Sequence, residues 1–236
     1  QGDNPPNLGE HAQDEALSSD TDVATISIGG NDIGFAQFVT TCLFLDCSDS
    51  NWNQQYFDAI DSLPSSLDDA YDDILGKASN AQIYILGYPQ VIPDPSTCSN
   101  PLGTWVAAFN TLVQDAHAAV PGAQDVVVAI GHWAGVSDTL INAVISAGEV
   151  TFTANEMTTG RNLTTALDEE IQDTVGILRP RLHYVDPLAA GSPFTGHELC
   201  TDNPYFNGVD VVNKEYSFHP NPLGQNAYRQ LLLSAM

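Results

Sequence analysis

Four short apolar runs, each closed by glycine or proline, constrain this chain most. They are residues 23–28 (VATISI), 81–86 (AQIYIL), 125–130 (DVVVAI) and 182–185 (LHYV). Each is rich in β-branched or aromatic residues and reads as a buried strand. Between them lie longer stretches of helical period. Residues 58–77 place Ile60, Leu63, Leu67, Tyr71 and Ile74 on one face, and residues 103–120 end at Pro121-Gly122, a helix stop. Residues 163–178 and 223–233 read as two more helices. Strands alternating with helices imply parallel pairing through crossovers, hence an α/β chain with a mainly parallel sheet in a three-layer α/β/α sandwich. With no repeat, heptad run or long linker, residues 1–236 read as a single domain.

Composition removes several functions. Six Lys+Arg against 30 Asp+Glu leave a formal charge of −24. So few cations give no means of releasing phosphate counterions, which argues against a nucleic-acid partner and against adhesion to anionic membranes. No apolar run is long enough for a transmembrane segment. The four cysteines, Cys42, Cys47, Cys98 and Cys200, lack the C-x-x-C spacing of a zinc site. An even count with the close Cys42/Cys47 pair reads as two disulfides and a secreted, extracellular protein. The Asn162-Leu163-Thr164 sequon is compatible with that.

Two stretches are loops too long for plain connections. Residues 87–103 (GYPQVIPDPSTCSNPLG) are dense in proline and hold Cys98, while residues 186–214 hold Cys200. Both leave the carboxyl ends of expected strands, where open α/β sheets bind ligands. A Cys98–Cys200 bond would tie them over that face.

Two segments carry chemistry. In ISIGGNDIGF, residues 26–35, a buried strand runs into two glycines and an Asn-Asp pair. The glycines permit a tight turn beside a ligand. Asn31 then projects an amide whose N–H groups suit an oxyanion, although Asn31 or Asp32 as a plain helix cap fits the local pattern equally well. In SFHPNPLGQNAY, residues 217–228, His219 precedes a proline-opened helix. A loop histidine can take up and return a proton, which suits general-base work, and a surface or capping role is its plain alternative. His197-Glu198 could line a cleft. His132, His183, His11 and His117 read as packing or solvated residues, and Asp68-Asp69, Asp72-Asp73 and Asp168-Glu169-Glu170 as polar helix faces.

Together, SIGGNDIGF and SFHPNPLGQNAY in order along an α/β chain resemble the SGNH (GDSL-type) hydrolase superfamily, and most of all its secreted, disulfide-bonded esterase and lipase branch. GYPQVIP and VDPLAAGSPFTGHELC resemble that branch too, so the resemblance spans nearly the whole chain. It implies a flavodoxin-like sheet and a serine ester hydrolase that needs no cofactor or metal. The family's G-x-N-D block matches Gly29-Gly30-Asn31-Asp32, which makes Asn31 the oxyanion-hole amide. The histidine of its last block matches His219, the base that activates the serine. Gly2, by its distance ahead of Asn31, matches the glycine that adds a main-chain N–H to the oxyanion hole.

The chain departs from the family in two places. The G-D-S block with the nucleophilic serine on the first strand is absent, since Gly2-Asp3-Asn4 has no serine and lies too near Asn31. The expectation is an N-terminally incomplete domain whose first strand and serine sit on an upstream segment, held noncovalently as a bound N-terminal fragment. The second departure is Tyr216, which stands where the family often has an aspartate, three residues before the histidine. The Tyr216 carbonyl is therefore expected to orient His219 Nδ1 in a Ser–His dyad, with Glu215 or Asp210 as weaker candidates. The reading is a secreted carboxylic-ester hydrolase acting on a small-molecule, lipid or carbohydrate ester. Its alternative is a non-catalytic relative that binds a glycan, lipid or protein ligand.

Overall fold

The structure is a computed structural model that describes residues 13–98, 103–150, 152–176, 179–210 and 216–236, with 103–108 described as backbone only. After a 3₁₀ turn at Gln13–Ala16 the elements run β1 (Val23–Ile26), α1 (Phe35–Thr41), α2 (Ser50–Asp61), α3 (Leu63–Lys77), β2 (Gln82–Leu86) and α4 (Gly103–His117). They continue with α5 (Ala123–Trp133), α6 (Asp138–Ala147), α7 (Ala154–Val175), β3 (Leu182–Val185) and α8 (Pro222–Ala235).

The three strands form one parallel sheet in the order β1-β2-β3. Val23 pairs with Gln82 and Ile26 with Ile85, while Ile83 pairs with Leu182 and Leu86 with Val185. Successive residues of a strand face opposite sides of its sheet, so the burial of Ile83, Tyr84 and Ile85 in a row means that both faces of β2 are covered. The fold class is α/β, with helices packed about a parallel sheet. β1 stands at an edge and is barely covered, with Val23 45% exposed.

α3 and α7 pack together and α7 and α8 both meet β3. Leu63, Leu67, Tyr71 and Ile74 of α3, and Leu163, Leu167, Ile171 and Val175 of α7, supply buried side chains at helical spacing. α7 is entered through a capping box, in which the Thr153 hydroxyl accepts from Glu156 N (3.3 Å) and the Glu156 carboxylate accepts from Thr153 N (2.5 Å).

One expected strand is a helix. Residues 125–130 lie inside α5, which packs between α4 and α6. Ala123, Val127, Ile130 and Gly131 bury one stripe at steps of three and four. Tertiary packing on neighbouring helices outweighs the β-propensity of the valine run. The expected helix over 58–77 is two helices, α2 and α3, meeting at Ser62.

Both disulfides are formed. Cys42–Cys47 closes the turn after α1, and Cys98–Cys200 joins the loops that follow β2 and β3. Among the described residues no helix is long and apolar enough to cross a membrane.

Candidate active site

The G-G-N-D turn is built beyond the carboxyl end of β1. Gly29 takes φ 105°, which a side chain rarely tolerates. The turn closes on itself, with Ile33 N donating to Gly29 O (3.2 Å), Gly34 N to Asn31 O (3.0 Å) and Phe35 N to Gly30 O (3.0 Å). The residue ahead of α1 is Gly34, with no side-chain cap, so neither Asn31 nor Asp32 caps that helix. Both side chains are exposed while Gly29 and Gly30 beneath them are buried. The plain capping role ahead of α1 is thereby removed, and the Asn31 side chain stands exposed.

The floor of the turn is aromatic. Tyr88, just past β2, brings its hydroxyl to Gly30, whose N–H donates to it (3.0 Å). A Cβ on Gly30 would lie 2.9 Å from the Tyr88 ring and hydroxyl, closer than such atoms approach, which is why glycine stands there. Tyr88 N in turn donates to the Asp168 carboxylate (2.6 Å). Tyr228 of α8 donates its hydroxyl to Gly87 O (3.0 Å), tying the last helix to the end of β2.

Asp168 is not on a polar face. It is 3% exposed, and its Oδ2 has no hydrogen-bond partner. Burial first, and the nearby Asp186 charge second, push its pKa up to about 8, against the opposing hydrogen bond from Tyr88 N. Burial likewise raises Tyr88, Tyr184 and Tyr228. These groups make a neutral polar cluster under the carboxyl end of the sheet. The steps of four through Leu163, Leu167 and Ile171 already place position 168 near the inward face, and that signal outweighs the run of three acids.

His219 is exposed on the turn before α8. Its partner is not the expected one. Nδ1 lies 3.1 Å from the main-chain oxygen of Ser217, whereas the Tyr216 oxygen accepts from His219 N (3.3 Å) and Asn207 Nδ2 (3.1 Å). The reason is local geometry. Phe218 adopts φ 65° with its ring buried, and this turn brings the Ser217 carbonyl, one residue nearer, under the imidazole. A carbonyl only accepts, so Nδ1 is the donor in this contact, and in the neutral ring that tautomer leaves the lone pair on Nε2, the arrangement a general base uses. Asp210 N bonds the Ser217 hydroxyl (3.0 Å). Glu215 and Gly2 lie outside the described residues.

The histidine turn is pinned by the preceding loop. Asn207 N donates to His219 O (2.9 Å), Phe206 bridges Pro220, and Asn221 N donates to Tyr205 O (3.0 Å). The helix cap is Asn221, which accepts from Leu223 N and Gly224 N, so His219 has no capping duty. Phe194 stacks on Phe206 and meets Tyr228 edge-on, which links this loop to the end of β2. Beside it lies a cavity of about 370 Å³, lined by Gln90, Arg161, Thr165, Leu188, Phe194 and Glu198 among others. Glu198 thus faces a cleft. His197 does not act freely there: its ring stacks on Tyr205 (3.7 Å) and Nδ1 faces the Asn203 oxygen (2.8 Å). The remaining described histidines are engaged in structure, His117 with Ile145 O, His132 with Asp138 and His183 with Gln82.

A parallel sheet with a glycine-floored Asn turn beyond one strand, and a histidine posted ahead of the final helix, is the arrangement that the resemblance of the two segments to SGNH-type (GDSL-type) hydrolases leads one to expect. Solved structures share the fold. The crystal structure of phospholipase A1 from Streptomyces albidoflavus NA297 matches with a TM-score of 0.64 at 23% identity, over 95% of this chain and 73% of that one. The extracellular lipase of Streptomyces rimosus matches with a TM-score of 0.58 at 24% identity, over 93% and 71%. In sequence the chain is 29% identical over 214 residues to Lipase 1 of Streptomyces coelicolor and 27% identical over 230 residues to a lipase of Streptomyces rimosus. It spans 58% and 62% of the lengths of those two relatives. No protein-family model matches the chain.

Proposed function

We propose that this chain is the histidine- and asparagine-bearing part of a secreted ester hydrolase of lipase type, one domain whose serine nucleophile lies on an upstream segment. The observation that carries the reading is the pair of exposed groups on built supports: the Asn31 amide above its glycine turn, and His219, whose Nδ1 is held by the Ser217 carbonyl behind it. The lipase names of the sequence relatives support a lipid or other carboxylic ester as substrate. The two disulfides and the extracellular lipase among the structural neighbours support export. The exposed outer side of β1 supports a further parallel strand beside it, since parallel sheets are covered structures and bare edges invite pairing. An N-terminal fragment bound there would bring the serine to the carboxyl end of the sheet.

The chemistry follows from the groups. His219 Nε2 takes the serine proton as the hydroxyl attacks the acyl carbon, and the imidazolium is stabilised by its Nδ1–H bond to a main-chain oxygen. The tetrahedral oxyanion is met by the Asn31 amide and main-chain N–H groups, with Gly2 proposed as one. The histidine then returns the proton to the leaving alcohol, and water repeats the sequence to release the acid. The reading is tested by hydrolysis of p-nitrophenyl esters by the full-length protein. Activity lost in His219→Ala and strongly reduced in Asn31→Ala supports it, and unchanged activity in either variant removes that residue from the mechanism.

A further inference from the structure

The side chain that grips the turn beneath Asn31 comes from far along the sequence. Asn31 sits on a turn anchored by the buried Gly29, Gly30 and Ile33, and its immediate neighbour Gly30 is gripped twice by Tyr88: its N–H donates to the phenol, and its bare Cα rests against the ring. Ser27 also stands within hydrogen-bonding reach of that phenol. The Tyr88 main chain, at the start of a proline-rich loop, is itself held by the buried carboxyl of Asp168 from the middle of α7. A helix on one side of the sheet thus fixes a loop residue after β2, and that residue fixes the turn after β1. Any drift of Tyr88 passes to Gly30 and through one peptide unit to Asn31.

We infer that Tyr88 and Asp168 are positioning residues for the Asn31 amide, setting where the oxyanion donor stands through the Gly30 main chain. The inference rests on the hydrolase reading of Asn31 above. A donor aimed at a transition-state charge works only when held in place beforehand, and the Tyr88 contact adds to the hydrogen bonds by which the turn closes on itself. Asp168 suits its part because it is buried with no cationic partner among the described residues: its Oδ1 accepts the Tyr88 N–H, with the Tyr184 hydroxyl as a second, neutral neighbour.

Tyr88→Phe in the full-length protein removes the phenol oxygen and keeps the ring. The expected result is a fall in kcat of about 10-fold or more for p-nitrophenyl butyrate with KM within about twofold, less than the 10²–10³-fold expected for a lost oxyanion donor itself. In the same variant the Gly30 amide, followed by hydrogen exchange, loses protection, a readout that does not depend on turnover. Unchanged kcat in a wild-type-like, His219-dependent enzyme overturns the inference and leaves the hydrolase reading standing. A wild-type protein without His219-dependent hydrolysis overturns the reading and the inference with it. Gly30 exchange that is no faster in Tyr88→Phe overturns the inference whatever the activity.

Discussion

Replacing Asp168 with asparagine should make the protein more stable at neutral pH, and the gain should grow with pH. The wild-type carboxyl is 3% exposed and holds its proton up to about pH 8, whereas an unfolded aspartate releases it near 3.8. Between those two values the folded state binds a proton that the unfolded state has lost. Stability contributed by this group is therefore full at low pH and falls as pH rises, at up to about 1.4 kcal/mol per pH unit, levelling above pH 8. Asparagine keeps an oxygen in place for the Tyr88 N–H, puts an amide where the partnerless Oδ2 stands, and does not titrate. The difference in unfolding free energy, variant minus wild type, should rise by about 2.7 kcal/mol from pH 5 to pH 7. The other 29 carboxylates are common to both proteins and cancel in that difference. Urea unfolding followed by tryptophan fluorescence at pH 5, 6, 7 and 8.5 measures it. A difference that stays constant from pH 5 to pH 7 would refute the assignment of a neutral buried carboxyl.

Other perturbations separate the remaining parts of the account. Breaking Cys98–Cys200 by Cys→Ser should cost about 4.7 kcal/mol on the loop-entropy scale, against about 2 for Cys42–Cys47, because the bonded residues are 102 and 5 positions apart; denaturant midpoints of the two variants give the order. Thr153→Ala removes one half of the α7 capping box and should cost about 1 kcal/mol with no change in KM. Gly30→Ala drives a methyl into the Tyr88 ring and should lower kcat more than it lowers the melting temperature, seen by comparing p-nitrophenyl ester turnover with a thermal melt. Asn31→Ala should cost about 10²–10³-fold in kcat, as the loss of one oxyanion donor does elsewhere.

The sequence and the structure agree where a signal is local. The three true strands are short apolar runs at glycine or proline stops, and the G-G-N-D turn and the His219 turn fall where their flanking elements put them. The disagreements have two causes, contacts made at long range and local backbone or helical phase that residue type does not announce. The valine run in α5 has a strand's composition, yet its neighbours in space are α4 and α6, and an apolar run of that length does not distinguish a buried helix from a strand. Asp168 sits in a string of three acids, and only the helical phase set by Leu163, Leu167 and Ile171 turns it inward. Tyr88 gives no sign of its role in the chain, because its partners Gly30 and Asp168 lie 58 and 80 residues away. The exchange of Tyr216 for Ser217 behind His219 depends on one residue, Phe218, taking a left-handed backbone, which a bulky aromatic adopts only where the surroundings impose it.

We propose that His219 and Asn31 serve a serine on a segment upstream of Gln1. Labelling the full-length protein with a fluorophosphonate, followed by peptide mapping, tests it most directly. The account predicts one stoichiometric adduct on a serine upstream of Gln1, abolished by His219→Ala in protein that remains folded. An adduct on a serine within residues 1–236, or labelling that persists without His219, would contradict it.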